Sequence, residues 1–309
     1  MRLVFMGTPD FAVPSLKKLL EDGHQIVGVV TRPDKPRGRG KHRISSPIKQ
    51  EGLANNLPVL TPERLNNPDF LGSLKQMAPE LVVVVAFRIL PPEVLAIPPR
   101  GVINLHASLL PKYRGAAPIN WAIINGERQT GLTTFFIDEQ VDTGNIILQR
   151  VVPIDQQETA GELHDKLMFL GAELLSKTVS LVESGNFPRG PQLKEGASEA
   201  PKLKKEDARI DWSKPAEQIR NLIRGTNPRP GAFTYRKGAL LKIHRASAMA
   251  APPKDAPGEV LRADRKEGIW IAAGEGELFL AQIQPQDRRP MSSAEFVRGY
   301  GVLEGEIWG

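Results

Sequence analysis

An amide and an imidazole lie two residues apart at the point where an apolar run of the sequence ends. Asn104 interrupts the run 102–105, and His106 follows it directly. Because residues two apart in an extended chain point to the same face, Asn104 and His106 are expected to project together from the end of one strand. Open α/β sheets bind their ligands at the carboxyl ends of such strands. The pair is therefore a candidate for catalysis, although two satisfied structural groups would have the same spacing.

The sequence offers one carboxylate to this pair, in the triplet Asp142-Thr143-Gly144. An aspartic protease needs two such carboxylates that share a proton, and the single triplet excludes that class. An aspartate in this kind of turn often bonds only its own backbone, which is the structural alternative. If Asp142 instead contacts His106, the three side chains form a set for acyl transfer, with two donors for an oxyanion and one proton acceptor.

Composition narrows the possible chemistry further. The 309 residues include no cysteine, which excludes disulfides, thiolate nucleophiles and cysteine-based zinc sites. The five histidines have no metal-ligand spacing, so we expect no metal ion. The turn Gly7-Thr8-Pro9 after the first apolar run lacks the GxGxxG pattern, which disfavours a Rossmann-type dinucleotide cofactor. The N-terminal apolar run is too short for a signal peptide, so a cytoplasmic protein is expected.

Two different patterns divide the chain. Up to residue 185, short apolar runs alternate with helical patterns, among them predicted helices at 67–77 and 159–185, as in an α/β layered sheet with right-handed crossovers. The segment 189–207 is rich in proline, glycine and charge and has the composition of a linker. One further helix is predicted to start at Ser213, with Pro215 in its first turn. Beyond it, short strands separated by turns at intervals of about 8–12 residues indicate a small β-barrel or sandwich. We therefore predict a catalytic domain at 1–188, a linker at 189–207 and a C-terminal β-barrel domain at 208–309.

Positive charge is concentrated in two segments. The net charge is +6, yet residues 218–254 contain eight lysine or arginine residues and no acidic residue. A second basic cluster, RPDKPRGRGKHR, covers residues 32–43. Clusters of this kind beside a nearly neutral body favour a polyanionic partner such as nucleic acid, and a solvated surface is the alternative.

The motifs around the candidate site resemble those of the folate-dependent formyltransferases. The resemblance is carried by NLHASLLPKYRGAAPINWAI followed by DTG, and by GTPDFAVPSL, VVTRPDKPRGRGK, SPIK, LPVLTP, KEDARIDW and IRGTNPRPGAFT, in order from residue 3 to about 235. It implies a Rossmann-like parallel-sheet formyltransferase domain followed by a small OB-like β-barrel domain that binds tRNA. The chain departs from the family at AFRILP (86–91), a loop that helps to shape the pterin pocket in relatives. Here that loop is one residue shorter and contains Arg88 but no glycine.

The resemblance also implies roles for individual residues. The donor is 10-formyltetrahydrofolate, a co-substrate, and the acceptor is the α-amino group of initiator methionyl-tRNA, which becomes N-formylmethionyl-tRNA for translation initiation. Asn104 and a protonated His106 would stabilise the oxyanion, and Asp142 would hold His106 charged and help to move the proton, with no metal. The implied folate-binding residues are Phe87, Ile89, Ser108, Leu109, Leu110 and Pro111. The implied tRNA-binding residues are Arg37, Arg39, Lys41, Arg220, Arg224, Arg229, Arg236, Lys237 and Lys242.

The alternative function is that of a related formyltransferase acting on an amino sugar nucleotide, or of a formyltetrahydrofolate hydrolase. Either would use the same three candidate catalytic residues. Neither accounts for the acid-free stretch 218–254 or for the basic segment 32–43. A non-catalytic RNA-binding protein on the same fold is the alternative from another class, and the intact set of amide, imidazole and carboxylate disfavours it. We expect a monomer.

Overall fold

The structure is a computed structural model that describes residues 1–37, 42–138, 141–187, 192, 195–251 and 255–309; the side chains of residues 35–37 and 42–43 are outside this description. Contacts divide the chain into two compact units. The first unit comprises Met1–Gly115, Thr130–Val152 and His164–Glu199. The second unit comprises Ala116–Gln129, Pro153–Leu163 and Ala200–Gly309. Two stretches of the predicted catalytic domain thus belong to the second unit, and the domain boundaries at 188 and 208 stay a prediction.

The described residues form strands and helices of ordinary length. The strands are β1 (Arg2–Gly7), β2 (Gln25–Val30), β3 (Lys35–Arg37), β4 (His42–Ile44), β5 (Val59–Leu60), β6 (Leu81–Val85), β7 (Val102–His106), β8 (Arg114–Gly115), β9 (Gln129–Phe136), β10 (Ile146–Pro153), β11 (Glu199–Ala200), β12 (Phe233–Arg236), β13 (Ala239–Met249), β14 (Val260–Asp264), β15 (Gly268–Ala272), β16 (Glu277–Pro285) and β17 (Met291–Ser292). The helices are α1 (Val13–Glu21), α2 (Pro47–Ala54), α3 (Pro68–Gln76), α4 (Pro92–Leu95), α5 (Pro118–Ile124), α6 (Ala160–Ser184), α7 (Ala216–Thr226) and α8 (Ser293–Tyr300).

The main sheet of the first unit has seven strands in the order β10-β9-β7-β6-β1-β2-β5. The five strands from β7 to β5 are parallel, which confirms the predicted α/β sheet. β9 is antiparallel to β7, a mixed edge that the sequence pattern did not indicate. All five residues of β6, LVVVV, are buried because both faces of a central parallel strand are covered.

Side-chain caps fix where two helices of the first unit begin. Ser46 accepts a hydrogen bond from the Lys49 amide at the start of α2, and Asn67 accepts one from the Asp69 amide at the start of α3. Each cap satisfies an amide that has no partner within its helix. The helices predicted at 67–77 and 159–185 are confirmed as α3 and α6. No helix in the described part of the chain is both long enough and apolar enough to cross a membrane.

The carboxyl ends of β6 and β7 lie side by side. Val85, the last residue of β6, pairs with Leu105, which precedes the last residue of β7. The loop 86–91 and His106 therefore leave the sheet at the same edge. This edge is where open α/β sheets bind their ligands.

The second unit is built on an antiparallel sheet in the order β12-β13-β16-β15-β14, with β17 paired to β16. This sheet confirms the predicted small β domain. Three aromatic residues, Trp212, Phe296 and Trp308, belong to its hydrophobic core, and each is at most 5% exposed. Helix α8 packs onto this sheet and begins with a capping box formed by Ser292 and Glu295.

Helix α7 begins later than its sequence predicts. The sequence places Ser213 at its start and Pro215 in its first turn, whereas α7 begins at Ala216 with Pro215 as the N-cap. The Ser213 amide donates to Asp211 Oδ1 at 3.0 Å, and this local turn keeps the preceding residues out of the helix.

Candidate active site

His106 is the last residue of β7 and is 6% exposed. Its Nε2 lies 2.8 Å from the carbonyl oxygen of Tyr113. A carbonyl oxygen only accepts hydrogen bonds, so Nε2 carries a proton and the neutral ring keeps its lone pair on Nδ1. The fold therefore fixes the tautomer of His106 and makes Nδ1 its basic atom.

Asp142 faces that other nitrogen of the ring. Its Oδ2 is 3.7 Å from His106 Nδ1 and accepts a hydrogen bond from the Gly115 amide at 2.9 Å. The Asp142 side chain is 11% exposed. At 3.7 Å the carboxylate attracts a protonated ring but is too far away for a hydrogen bond. The carboxylate therefore lies beside Nδ1 without forming a hydrogen bond to it.

Asn104 completes the set predicted from the sequence. It lies in β7 two residues before His106 and so projects from the same face of the strand. The Asn104 side chain is half-buried, and its amide has no hydrogen-bond partner among the described residues. Its Nδ2 is therefore available to donate to an oxygen atom of a bound group.

The turn that carries Asp142 depends on its glycine. A Cβ atom on Gly144 would lie 1.6 Å from the carbonyl oxygen of Phe136, so only glycine fits this approach to the end of β9. Asp142 has a φ of 55°, in the left-handed region. Thr143 Oγ1 donates to Asp138 Oδ1 at 2.7 Å. The Asp-Thr-Gly triplet is therefore a tight turn that also directs its carboxylate at the His106 ring.

Two polar strand residues shape the loop that follows His106. Thr133 on β9 donates to the Ser108 carbonyl at 2.7 Å and accepts from the Leu110 amide at 3.1 Å. Gln149 on β10 donates to the Leu110 carbonyl at 2.9 Å. Reasoning from the sequence missed both residues, and the available signal was a polar residue within each apolar strand.

The predicted folate-binding residues fall into two groups. Ser108 and Leu110 are buried, and Ser108 Oγ donates to the Lys112 carbonyl at 2.6 Å. These two residues therefore hold the loop 107–113 together. The other four residues keep accessible surface. Ile89 is 76% exposed, and three residues are half-buried: Phe87, Leu109 and Pro111.

The three central side chains together provide one amide donor, one ring nitrogen that accepts a proton, and one carboxylate that stabilises the resulting charge. This combination suits the attack of an amine on an acyl carbon. Within the described ranges, no group of three or more His, Cys, Asp or Glu side chains is arranged to hold a metal ion.

Comparison with known proteins identifies the family. A family model described as formyl transferase matches residues 1–179, and one described as the C-terminal domain of formyl transferase matches residues 202–301. The chain belongs to the formyl transferase family. This formyl transferase is 51% identical to the methionyl-tRNA formyltransferase of Pelotomaculum thermopropionicum, over 100% of its own chain and 99% of that relative. It is 45% identical to the methionyl-tRNA formyltransferase of Clostridioides difficile, over 100% of both chains.

Solved structures have the same fold. The crystal structure of WlaRD, a sugar 3N-formyl transferase in the presence of dTDP and 5-N-formyl-THF, matches with a TM-score of 0.68 at 20% identity, over 94% of this chain and 99% of that one. HypX from Aquifex aeolicus, in complex with tetrahydrofolic acid, matches with a TM-score of 0.65 at 21% identity, over 99% of this chain and 49% of that one. At this level of identity the likeness shows the fold alone.

Arg88 closes the shortened loop 86–91 of this formyl transferase. Its Nη1 donates to the Glu63 carbonyl and its Nη2 to the Pro62 carbonyl, both at 2.9 Å. Its guanidinium lies 5.2 Å from the centre of the Phe87 ring, and burial lowers the pKa of Arg88. The arginine thus ties this loop to the segment that follows β5.

The basic residues predicted to contact tRNA differ in where the fold places them. Arg37 lies in β3, of which only the backbone is described. Arg39 and Lys41 lie outside the described residues. These three candidates therefore stay a prediction.

Arg224 requires a correction, because it does not offer its charge to the surface. It is 6% exposed, its Nε donates to Asn221 Oδ1 at 2.9 Å, and its Nη1 donates to the carbonyl oxygens of Asp155 and Glu158 at 3.4 and 3.3 Å. Burial lowers the pKa of Arg224. A phosphate group would have to displace these contacts, so we assign Arg224 to the packing of the second unit.

Two further candidates are bound to one carboxylate. Arg236 donates to both carboxylate oxygens of Glu306, at 2.8 and 2.9 Å, and Lys237 Nζ is 3.2 Å from the same group. The hydrogen bonds from Arg236, reinforced by Lys237, lower the pKa of Glu306 to about 2. Lys237 is nevertheless 67% exposed, whereas the Arg236 side chain is 10% exposed.

The remaining candidates for tRNA contact differ in whether their charged groups already have a partner. Lys242 Nζ donates to the Pro230 carbonyl at 2.8 Å, and Arg220 forms an ion pair with Glu217. Arg229 is exposed, and no ion pair of its side chain occurs among the described residues. Arg229 is therefore the most accessible of the arginines predicted to contact tRNA in the second unit.

Proposed function

We propose that the protein transfers a formyl group from 10-formyltetrahydrofolate to the α-amino group of initiator methionyl-tRNA, giving N-formylmethionyl-tRNA for translation initiation. The observation that carries the proposal is the position of His106 between the Tyr113 carbonyl and the Asp142 carboxylate, with the Asn104 amide on the same strand face. The choice of acceptor is supported by methionyl-tRNA formyltransferases that are 44–51% identical over the full chain.

In the first step, the methionine amine attacks the formyl carbon. The C=O π pair moves onto the oxygen, which becomes negative in the tetrahedral intermediate. Asn104 Nδ2 donates a hydrogen bond to this oxygen. A donor placed where charge develops accelerates such a step by about 10²–10³.

In the second step, we propose that neutral His106 moves the proton as a base at Nδ1, in place of the protonated oxyanion donor that the resemblance implies. Its Nε2–H is held by the Tyr113 carbonyl, so Nδ1 takes the proton from the attacking nitrogen. The imidazolium that forms lies beside the Asp142 carboxylate, which stabilises it. The oxyanion lone pair then re-forms the C=O double bond, the bond between the formyl carbon and N10 breaks, and N10 receives the proton from Nδ1. Atoms and charges balance without a covalent enzyme intermediate.

The folate donor is assigned to the sheet edge at the ends of β6 and β7. Ile89 is 76% exposed there, and Phe87, Leu109 and Pro111 keep part of their surface accessible. Apolar side chains of this kind suit a flat pterin ring. The same edge carries His106, so the formyl group can meet the catalytic atoms.

The tRNA acceptor is assigned to the basic segments. Arg229, Lys237 and the segment 32–43 supply positive charge for the phosphate backbone, so binding is expected to weaken steeply with salt. We further propose that the protein acts in the cytoplasm as a monomer.

The decisive experiment compares three acceptors under identical conditions. The protein is incubated with 10-formyltetrahydrofolate and with charged initiator tRNA, an amino sugar nucleotide, or water alone. The proposal predicts that formylmethionine ester forms on the tRNA, and that turnover with the amino sugar nucleotide or with water alone is at least 100-fold slower than turnover with the tRNA. Faster formylation of the amino sugar, or hydrolysis at the same rate without tRNA, would overturn the choice of acceptor.

A further inference from the structure

The segment that follows α6 contacts the candidate active site. Its composition predicts a linker, and it has no hydrophobic periodicity. Two of its residues, Gln192 and Ser198, nevertheless form hydrogen bonds with the residues that hold His106. All of these residues belong to the first unit.

The two groups that contact the His106 ring come from unusual backbone conformations. Tyr113, whose carbonyl accepts from Nε2, has a φ of 60°, and Asp142, whose carboxylate faces Nδ1, has a φ of 55°. Residues other than glycine occupy this left-handed region at a cost, and they persist where the surrounding structure holds them. Each of the two therefore needs a specific restraint.

Gln192 supplies the restraint on Asp142. Its Nε2 donates to the carbonyl oxygens of Asp142 and Gly144, at 3.1 and 2.7 Å. Its Oε1 accepts from Arg114 Nη2 at 2.8 Å. One amide side chain thus links both sides of the Asp-Thr-Gly turn to the strand that contains Gly115.

Ser198 supplies the restraint on Tyr113. Its Oγ accepts from the Tyr113 amide at 2.9 Å, and its carbonyl accepts from the Arg114 amide at 2.8 Å. The Ser198 amide donates to the Pro111 carbonyl at 3.4 Å. These bonds fix the direction of the Tyr113 carbonyl that accepts from His106.

We propose that Gln192 and Ser198 are positioning residues for formyl transfer. Gln192 holds the Asp142 carboxylate, and Ser198 holds the Tyr113 carbonyl, at their places on the two sides of the His106 ring. The segment between α6 and the second unit is therefore a part of the catalytic apparatus. The kinetic tests of this inference rest on the proposed function, because they measure formyl transfer.

The first test is the variant Gln192→Ala. We expect kcat to fall about tenfold because the Asp142 carboxylate loses its position beside the His106 ring, while KM for both substrates stays within twofold. Gln192→Glu cannot donate to the two carbonyl oxygens and should fall at least as far. Gln76→Ala, on the exposed face of α3, is the control and should keep the parent kcat. A rise in KM for tRNA with an unchanged kcat would instead make Gln192 a tRNA contact.

The second test is a double-mutant cycle with Asp142→Ala. If Gln192 acts through Asp142, Gln192→Ala should cause less than a twofold further loss of kcat once the carboxylate is gone. A further tenfold loss in that background would overturn the proposal, because it would show that Gln192 acts independently. Ser198→Ala, which removes one acceptor, should lower kcat about threefold and should be additive with Gln192→Ala.

The third test does not depend on activity. The Gly115 amide donates to Asp142 Oδ2, so its hydrogen exchange reports the position of the carboxylate. We expect exchange at Gly115 to become at least tenfold faster in Gln192→Ala and in Asp142→Ala, but not in Gln76→Ala. Exchange that is faster in Asp142→Ala alone would overturn the positioning role. Inactivity of the parent protein would refute the proposed function while leaving this readout intact.

Discussion

Around His106, the candidate catalytic side chains keep polar atoms without a hydrogen-bond partner in the described part of the chain: His106 Nδ1 and the Asn104 amide. In the second unit, most of the arginines predicted to form a basic surface are already bonded, Arg224 to Asn221 and Arg236 to Glu306. Residue type and spacing predicted that Asn104 and His106 project from one strand face, because both lie in one short motif of β7. Charge alone predicted the second region less well, because an arginine stabilises packing as readily as it binds phosphate.

Among the substitutions considered, removal of the Asn104 amide or the His106 ring should have the largest effect on the rate of formyl transfer. Asn104→Ala and His106→Ala are each expected to lower kcat by about 10²–10³, because the oxyanion donor or the proton acceptor is lost. KM for initiator tRNA should stay within about twofold of the parent value. Steady-state formylation assays measure both quantities, with Asn66→Ala, an exposed residue of the first unit, as the control. A parent-like kcat in either variant would remove that residue from the mechanism.

Arg224 and Arg229 provide a matched pair for the second region. Arg224→Met leaves Asn221 Oδ1 and two carbonyl oxygens without a donor, and we expect the free energy of unfolding to fall by about 1–3 kcal/mol. The salt dependence of tRNA binding should not change. Urea unfolding and binding titrations check the two statements. A tRNA affinity that becomes less sensitive to salt in this variant would restore Arg224 as a phosphate contact.

The pH dependence of stability tests whether Arg236 serves Glu306 or RNA. The pKa of Glu306 is about 2 in the folded protein, below its ordinary value of 4.5, so its ionised form stabilises the fold above pH 4.5. This stabilisation is lost as the pH falls from 4.5 towards 2. Glu306→Gln should therefore lower the free energy of unfolding by about 1–2 kcal/mol at pH 7 and by progressively less below pH 4.5.

Urea unfolding at pH 7, 5, 4 and 3 measures this difference. Glu275→Gln, an exposed residue with no hydrogen bond of its side chain in the described part of the chain, is the control and should shift stability by less than about 0.5 kcal/mol. A difference between Glu306→Gln and the parent that is constant with pH would exclude the ion pair as its cause.

Arg229→Met should have the smallest effect and the most specific one. Stability should be unchanged because the side chain is exposed. Affinity for initiator tRNA should fall a few-fold, and the slope of log affinity against log salt should become shallower by about 1. Filter-binding titrations at several salt concentrations give this slope. An unchanged slope would remove Arg229 from the phosphate contacts.

The sequence predicted the parts of the site that lie within short motifs. The order of apolar runs indicated the parallel strands, and the alternation along β7 placed Asn104 and His106 on one face. The triplet Asp142-Thr143-Gly144 was recognised as a turn, and its carboxylate lies 3.7 Å from the His106 ring. Each of these signals involves only a few neighbouring residues and can be recognised from the types of their side chains.

The missed features have no such signature. The Tyr113 carbonyl belongs to the backbone, so no residue type announces that it accepts from His106. Gln192 is 50 residues from Asp142, and nothing in a proline- and glycine-rich segment indicates that its amide reaches back to the site. The antiparallel pairing of β9 was missed because an apolar strand reads the same in either direction. Arg224 was misjudged because burial of an arginine depends on partners that only the fold brings together.

Gly144 has a consequence for how such enzymes are compared. The carbonyl oxygen of Phe136 occupies the space that any Cβ at this position would need. In a saturation library selected for formylation, position 144 should therefore return glycine alone, with a tolerance profile as narrow as that of His106. Two unrelated causes would then give the same intolerance to substitution: the reaction requires His106, and the lack of space for a Cβ atom requires glycine at position 144. Only a substrate-binding measurement on purified variants would distinguish the two causes.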